Sequence, residues 1–288
     1  MSYFLYTWPS DRLSVAQYGG SLIADWPGPL NGTEDPAYPS ANLEDDQPAR
    51  PAKLLYTYGA WLRSFPAPQQ VDFCAIINHN IYAPAGYDWP VYLWGSSTPN
   101  IGVQPPLMLQ LRVAGSVNPY VHVDGSPQNM FVDVASAVPA AINRTWQYWR
   151  LVINFGNVAP VAVGEWCLYR TLRNFGVRNI SKGSTRTLHR PSITHTTDRM
   201  TRLSYDLGVS VREMNVNMEA TDAVRFDVEQ WFRMSKGTVR PFCIVPNYLQ
   251  DEAWFVNFGS TDLSWTRNNN NHNPLSLRFQ EVSKGLNL

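Results

Sequence analysis

At 288 residues, with 44% hydrophobic and only 16% charged side chains, the chain has enough apolar material for one large domain or two ordinary ones, which excludes a disordered chain. Lysine plus arginine equals aspartate plus glutamate, 23 each, so no net field draws a polyanion and no nucleic-acid partner is expected. No stretch reaches the roughly 18 apolar residues of a membrane span, and the opening MSYFLYTWPSDR lacks a basic stretch followed by an apolar one, so no membrane span and synthesis in a cytoplasm are expected.

Along the chain, YPSANLEDDQPARPAKL (38–54) reads as a loop carrying Asn42, Leu43, Asp45, Asp46 and Pro48, followed by a strand around Trp61. The next run, VDFCAIINHN, alternates Val71, Phe73, Ala75, Ile77 and His79 against Asp72, Cys74, Ile76, Asn78 and Asn80. Both faces of its apolar part are therefore expected to be buried. Asn78, His79 and Asn80 emerge where the strand ends. Side chains there can satisfy loop backbone, and ligand contact and catalysis are the alternatives.

The segment YAPAGYDWPVYLWGSSTPN holds Tyr82, Tyr87, Trp89, Tyr92 and Trp94 among Pro, Gly and Ser. Exposed rings of this kind anchor protein interfaces or stack on sugar faces. QPPLMLQLRV is a further strand. YWRLVINF and VAVGEWCLYR are central strands joined by the short link GNVAP. Many short strands with almost no helical period predict a sandwich or jelly roll for residues 1–178.

The Ser/Thr-rich stretch at 179–199, with Lys182, Arg186, Arg190 and Arg199 against Asp198, predicts an extended linker or arm. Beyond it, RLSYDLGVSVR alternates Leu203, Tyr205, Leu207, Val209 and Val211 with polar residues, a half-buried strand. A helix is expected at about 222–236, with Val224, Val228, Trp231 and Phe232 on one stripe, Asp222 as cap and Gly237 as stop. Phe226 lies off that stripe and meets either a second covering element or a partner. AWFVNFG and LSLRFQ are further strands. The expected fold is mainly β: an N-terminal sandwich and a smaller β domain with one helix at 200–288.

Chemistry-bearing patterns are sparse. Cys74, Cys167 and Cys243 fall outside any CxxC spacing and read as small buried hydrophobes, indicating neither a disulfide framework nor zinc. GxSxG, HExxH, P-loop and GxGxxG motifs are absent from the sequence. His122 and Asp124 in VHVD share a strand face without an evident third ligand. NNNNHN (268–273) reads as a polar turn. Asp45 and Asp46 are the adjacent carboxylates that a glycan-degrading enzyme would need, but no second pair is evident opposite them. No catalytic residues, metal or cofactor are expected.

The loop with Ala41, Asn42, Leu43, Asp45 and Pro48, the strand ending in Asn78-His79-Asn80, and the closing pair with Arg150-Leu151-x-Ile153 and Gly164-Glu165-x-x-Leu168 resemble the discoidin-like (galactose-binding-like) jelly roll over most of residues 36–170. Such jelly rolls occur in minor tail proteins of tailed bacteriophages. The second half is similar to the compact β domain of phage distal-tail and tail-tip proteins, through the helix ending at Lys236-Gly237, the run RPFCIVPN, and a close with Glu281, Val282, Ser283, Gly285 and Leu286. The resemblance implies a structural virion protein of a tail tip or baseplate. It would form a ring of three-fold or six-fold symmetry, contact other tail and baseplate proteins, and meet a host-surface glycan as a further partner. A carbohydrate-binding module without catalytic activity is the alternative.

Overall fold

A computed structural model of the chain describes residues 4–25, 34–81, 91–99, 105–111, 129–139, 142–153, 160–174, 184–189, 192–196, 202–206, 211–246, 252–264 and 273–282. Tyr82, Tyr87, Trp89, His122 and Asp124 lie outside the described residues, as do most of NNNNHN and Ser283 to Leu286.

The first half contains β1 (Leu5–Tyr6), α1 (Val15–Tyr18), β2 (Ser21–Ala24), β3 (Ala52–Lys53), β4 (Gly59–Gln70), β5 (Phe73–His79), β6 (Val91–Ser96), β7 (Leu107–Gln110), β8 (Met130–Asp133), α2 (Val134–Ala137), β9 (Thr145–Ile153) and β10 (Ala162–Tyr169). The second contains β11 (Arg173–Asn174), β12 (Thr185–His189), β13 (Ser192–Thr196), β14 (Arg202–Asp206), β15 (Val211–Ala220), α3 (Asp222–Met234), β16 (Phe242–Val245), β17 (Trp254–Phe258) and β18 (Asn273–Glu281). The fold is mainly β, as the short alternating runs predict.

Strand pairing makes layers. A five-stranded sheet, β2-β4-β9-β6-β7, faces a four-stranded sheet, β3-β10-β5-β8, and a seven-stranded sheet has the order β11-β1-β16-β17-β18-β15-β12. The four-stranded sheet is the middle layer. Cys74, Ile76, Val132, Trp166 and Leu168 join Trp61, Phe65, Trp149 and Leu151 of the five-stranded sheet in one core. Phe73, Ala75, Ile77, Phe131, Cys167 and Tyr169 join Leu5, Cys243, Val245 and Phe255 of the seven-stranded sheet in another. Every residue of β5 and of β10 is buried, which explains why both strands read as almost continuous apolar runs.

The helix α3 covers the far face of the seven-stranded sheet. Val228 and Trp231 are buried there, with Val224 and Phe232 packed alongside, so the predicted stripe is the buried one. Trp231 sits 4.4 Å from Tyr6, 4.6 Å from Phe242 and 4.9 Å from Phe258, centroid to centroid. The cap differs from expectation. The Thr221 hydroxyl accepts from the Val224 amide and Asp222 is already helical, because a residue just ahead of the first turn is the one that can reach its free N–H groups. The chain leaves through Lys236 and Gly237, both at positive φ, the left-handed exit at which glycine is cheapest.

Two expectations about organisation need correction. The division at 178 and 200 is not the division of the sheets. β1 is hydrogen-bonded between β11 and β16, so strands from the two ends of residues 1–178 belong to the same sheet as β15 to β18. The segment 179–199 is no extended linker in its described part, because β12 pairs with β15 over Thr185↔Asn215 to His189↔Val211, and β13 pairs with β14 over Ser192↔Asp206 to Thr196↔Arg202. Threonine, being β-branched, is a good strand residue when a partner supplies the ladder, and composition does not reveal the partner.

Because Trp231 fills the centre of the helix-to-sheet core, Trp231→Ala is expected to lower unfolding free energy by about 4 kcal/mol, read as a drop in the urea midpoint. The exposed Val239→Ala change on the turn after α3 should move it by less than about 0.5 kcal/mol.

Candidate functional site

The polar residues singled out from the sequence converge on the middle sheet. Asn78 adopts positive φ, tolerable for Asn because its short side chain bonds locally. Its side-chain amide donates to the Pro48 carbonyl at 2.6 Å and its backbone N–H donates to Asn129 Oδ1 at 2.9 Å. Asn80 donates to the Pro160 carbonyl and accepts from the Ala162 amide. His79 is fully buried, its Nδ1 accepting from the Ile81 amide at 3.2 Å. Asn42 donates to the Pro51 carbonyl at 3.0 Å. All four side chains bond to neighbouring backbone.

Gly164 explains the approach of the loop. A Cβ there would lie 2.4 Å from the Pro48 carbonyl oxygen and 3.0 Å from that of Ile77. Only a residue without Cβ admits the loop backbone so close to β10.

From Asn78 a polar chain crosses to the seven-stranded sheet. Asn129, fully buried, donates its backbone N–H to Glu252 Oε2 at 2.6 Å and its side-chain amide to the Ala253 carbonyl at 2.8 Å. Glu252 also pairs with Arg212. The Arg212 guanidinium grips Glu281 through Nε at 2.9 Å and Nη2 at 2.5 Å, with its face 4.4 Å from the Trp254 ring. This fork uses the planar geometry that lysine lacks.

A second cluster lies under the 40–46 segment. Arg63 projects from β4 and is fully buried. It donates to the Leu13 carbonyl at 2.8 Å and the Trp166 carbonyl at 2.9 Å, and its Nε forms an ion-pair contact with Glu44 Oε1 at 2.8 Å. Its guanidinium lies 4.5 Å from the Trp166 ring centroid. Arg12 joins Asp46 and Glu165, the latter through Nη2 to Oε2 at 2.5 Å. Glu165, in the middle of β10, is fully buried, and burial holds its carboxyl well above the usual range although Arg12 pulls the other way. Asp45 is also pushed up, chiefly by burial, and its Oδ1 accepts from the Gln47 amide. Burial raises the Cys74 thiol to about 12, which keeps it un-ionised and a poor nucleophile.

One carboxylate, Glu165, reaches the Asp45–Asp46 turn, enclosed within the sheet and ion-paired with Arg12. Of the aromatic candidates, Trp94 on β6 is half-buried, its indole nitrogen enclosed and without a hydrogen-bond partner among the described residues, and Phe226 on α3 is 59% exposed. They belong to different sheets' coverings, the five-stranded and the seven-stranded respectively. Sequence reading missed Arg12, Arg63, Asn129, Arg212, Glu252 and Glu165 as cluster members. A signal was present for two of them: Arg63 and Glu165 are lone charges inside otherwise apolar runs, and such a charge is nearly always paired.

No family model and no curated protein matches the chain. A solved structure, reduced XRCC1 bound to DNA pol beta catalytic domain, is similar over 48% of this chain and 92% of that one, at 14% identity and a TM-score of 0.35, a likeness too slight to carry an argument.

Asn129 bonds both the β5 end and the Glu252–Ala253 stretch. Asn129→Ala keeps the backbone bond to Glu252 but removes the side-chain partners of the buried Asn78 amide and Ala253 carbonyl, and is expected to cost about 3 kcal/mol. Hydrogen exchange should show the loss at the Asn78 and Ala253 ends together.

Proposed function

We propose that the chain is a structural subunit of a bacteriophage tail tip or baseplate, built to assemble with copies of itself into a ring of three-fold or six-fold symmetry and with other virion proteins. The observation that carries this reading is the ribbon formed by β13 and β14. β12 pairs with β15 at one end of the seven-stranded sheet, and β13 and β14 form a two-stranded sheet that, among the described residues, pairs with no further strand. Register places Ile193 across from Tyr205 and His195 across from Leu203, while Ser192, Thr194 and Thr196 face Asp206, Ser204 and Arg202. An isolated two-stranded ribbon is marginal in water, so contact with a neighbouring copy would stabilise this one, and heterologous contacts whose rotation closes make rings. Exposed Phe226, on the helix that covers the seven-stranded sheet, supplies an apolar contact.

The motif resemblance of the first half to discoidin-like jelly rolls supports an outward-facing role for that part, as a platform with a host-surface glycan as its further contact. The enclosed indole nitrogen of Trp94 favours packing over sugar binding at that ring.

Native mass spectrometry of the purified full chain should show three or six copies. Replacing residues 190–210 with Asn-Gly closes His189 and Val211 by a two-residue hairpin turn. This variant should be a monomer with an unchanged melting curve. A wild-type chain that stays monomeric at tens of micromolar and is missing from the particles of any phage encoding it would overturn the proposal. Binding on a glycan array, abolished by Trp94→Ala in a monomeric protein, would favour the carbohydrate-module reading instead.

A further inference from the structure

We infer that Glu165 and Asp45 hold one proton between them, and that this shared proton latches the 40–46 segment to β10 until rising pH removes it. The geometry of the orphaned oxygens comes first. Glu165 Oε1 and Asp45 Oδ2 are both buried, and neither has a hydrogen-bond partner when the two groups are taken as carboxylates. The remaining oxygens are occupied: Glu165 Oε2 accepts from Arg12 and Asp45 Oδ1 accepts from the Gln47 amide. Arg50 Nη1 stands 3.6 Å from Asp45 Oδ2, an ion-pair separation beyond hydrogen-bond length. The two side chains themselves are in hydrogen-bonding contact. Two bare carboxylates cannot bond to each other, since neither has a donor. One proton on Glu165 Oε1 turns both orphans into a single O–H···O bond and leaves Oε2 free to accept from Arg12.

Charge counting agrees. The groups around the pair are Arg12 from the N-terminal segment, Glu44, Asp46 and Arg50 from the loop region, Arg63 from β4, and the thiols and phenol of Cys167, Tyr169 and Cys243. β5 carries Cys74 and His79, and β3 carries Lys53. Arg12 is the cation paired with Glu165, and Asp46 shares it. One guanidinium thus meets two carboxylates, and an ionised Glu165 would add a second negative charge against Asp45. Burial favours the neutral acid in the same direction.

The sign of the pH effect follows. Glu165 holds its proton more tightly folded than unfolded, so its contribution is complete below the ordinary glutamate range. That contribution is lost as pH rises from that range through the higher folded value.

The test is thermal unfolding of the full chain as a function of pH, with Glu165→Gln beside the wild type. Glutamine reproduces the protonated acid, donating to Asp45 and accepting from Arg12. The two proteins should melt together in buffer below the ordinary glutamate range, and the wild type should then fall behind by a few degrees for each pH unit as the pH rises from that range. A parallel pair of curves overturns the proposal. Infrared difference spectra of the folded wild type at neutral pH give an independent reading should the variant fold poorly. A protonated carboxylic-acid band that shifts in heavy water is expected, and its absence overturns the proposal as well.

Discussion

A sheet with no face left to solvent governs this molecule. β5 and β10 are buried on both sides, by the five-stranded sheet and by the seven-stranded one. Any polar group these strands carry must therefore find its partner inside the protein, because a buried orphan costs about as much as several good contacts return. Asn78 and Asn80 meet that demand with loop carbonyls and amides, and Glu165 with Arg12. Gly164 meets it by giving up a side chain so that the Pro48 carbonyl can come in.

The charges enclosed at the layer junctions are better understood as registration than as adhesion. Removing ions from water costs energy that pairing only partly recovers, so Arg63, Glu165 and Arg212 add little net stability over apolar residues of equal volume. Each instead accepts a small set of positions for its neighbours. Arg63 holds the Leu13 and Trp166 carbonyls, and Arg212 holds Glu252 and Glu281 with Trp254 beneath it. Two flat sheets sharing an apolar interface could slide; with these clusters in place the N-terminal segment, the 40–46 segment and the β5 end each have one seat. The same enclosure that orders Arg63 and Glu165 keeps them from solvent.

At the periphery the constraint is different. β12 pairs with β15 at one end of the seven-stranded sheet, and β13 and β14 pair with each other in a two-stranded sheet. A strand at a sheet's edge invites another chain unless something covers it.

Local pattern alone determined a good deal. Alternation in VDFCAII, LSLRFQ and AWFVNFG marked real strands, the stripe of Val224, Val228, Trp231 and Phe232 marked the buried face of α3, and doubly apolar runs marked β5 and β10 as interior. Those features depend on residues a few positions apart, which the sequence displays directly. What the tertiary structure decided depends on partners far along the chain. β1 joins β16 across almost the whole sequence, the Ser/Thr-rich segment becomes a paired ribbon, and Arg12 reaches Glu165 while Asn129 reaches Glu252. A hydrophobic period says that a strand will be buried and never says against what. A lone charge says that it will be paired and never names its partner, because that choice belongs to the packing of all the layers at once.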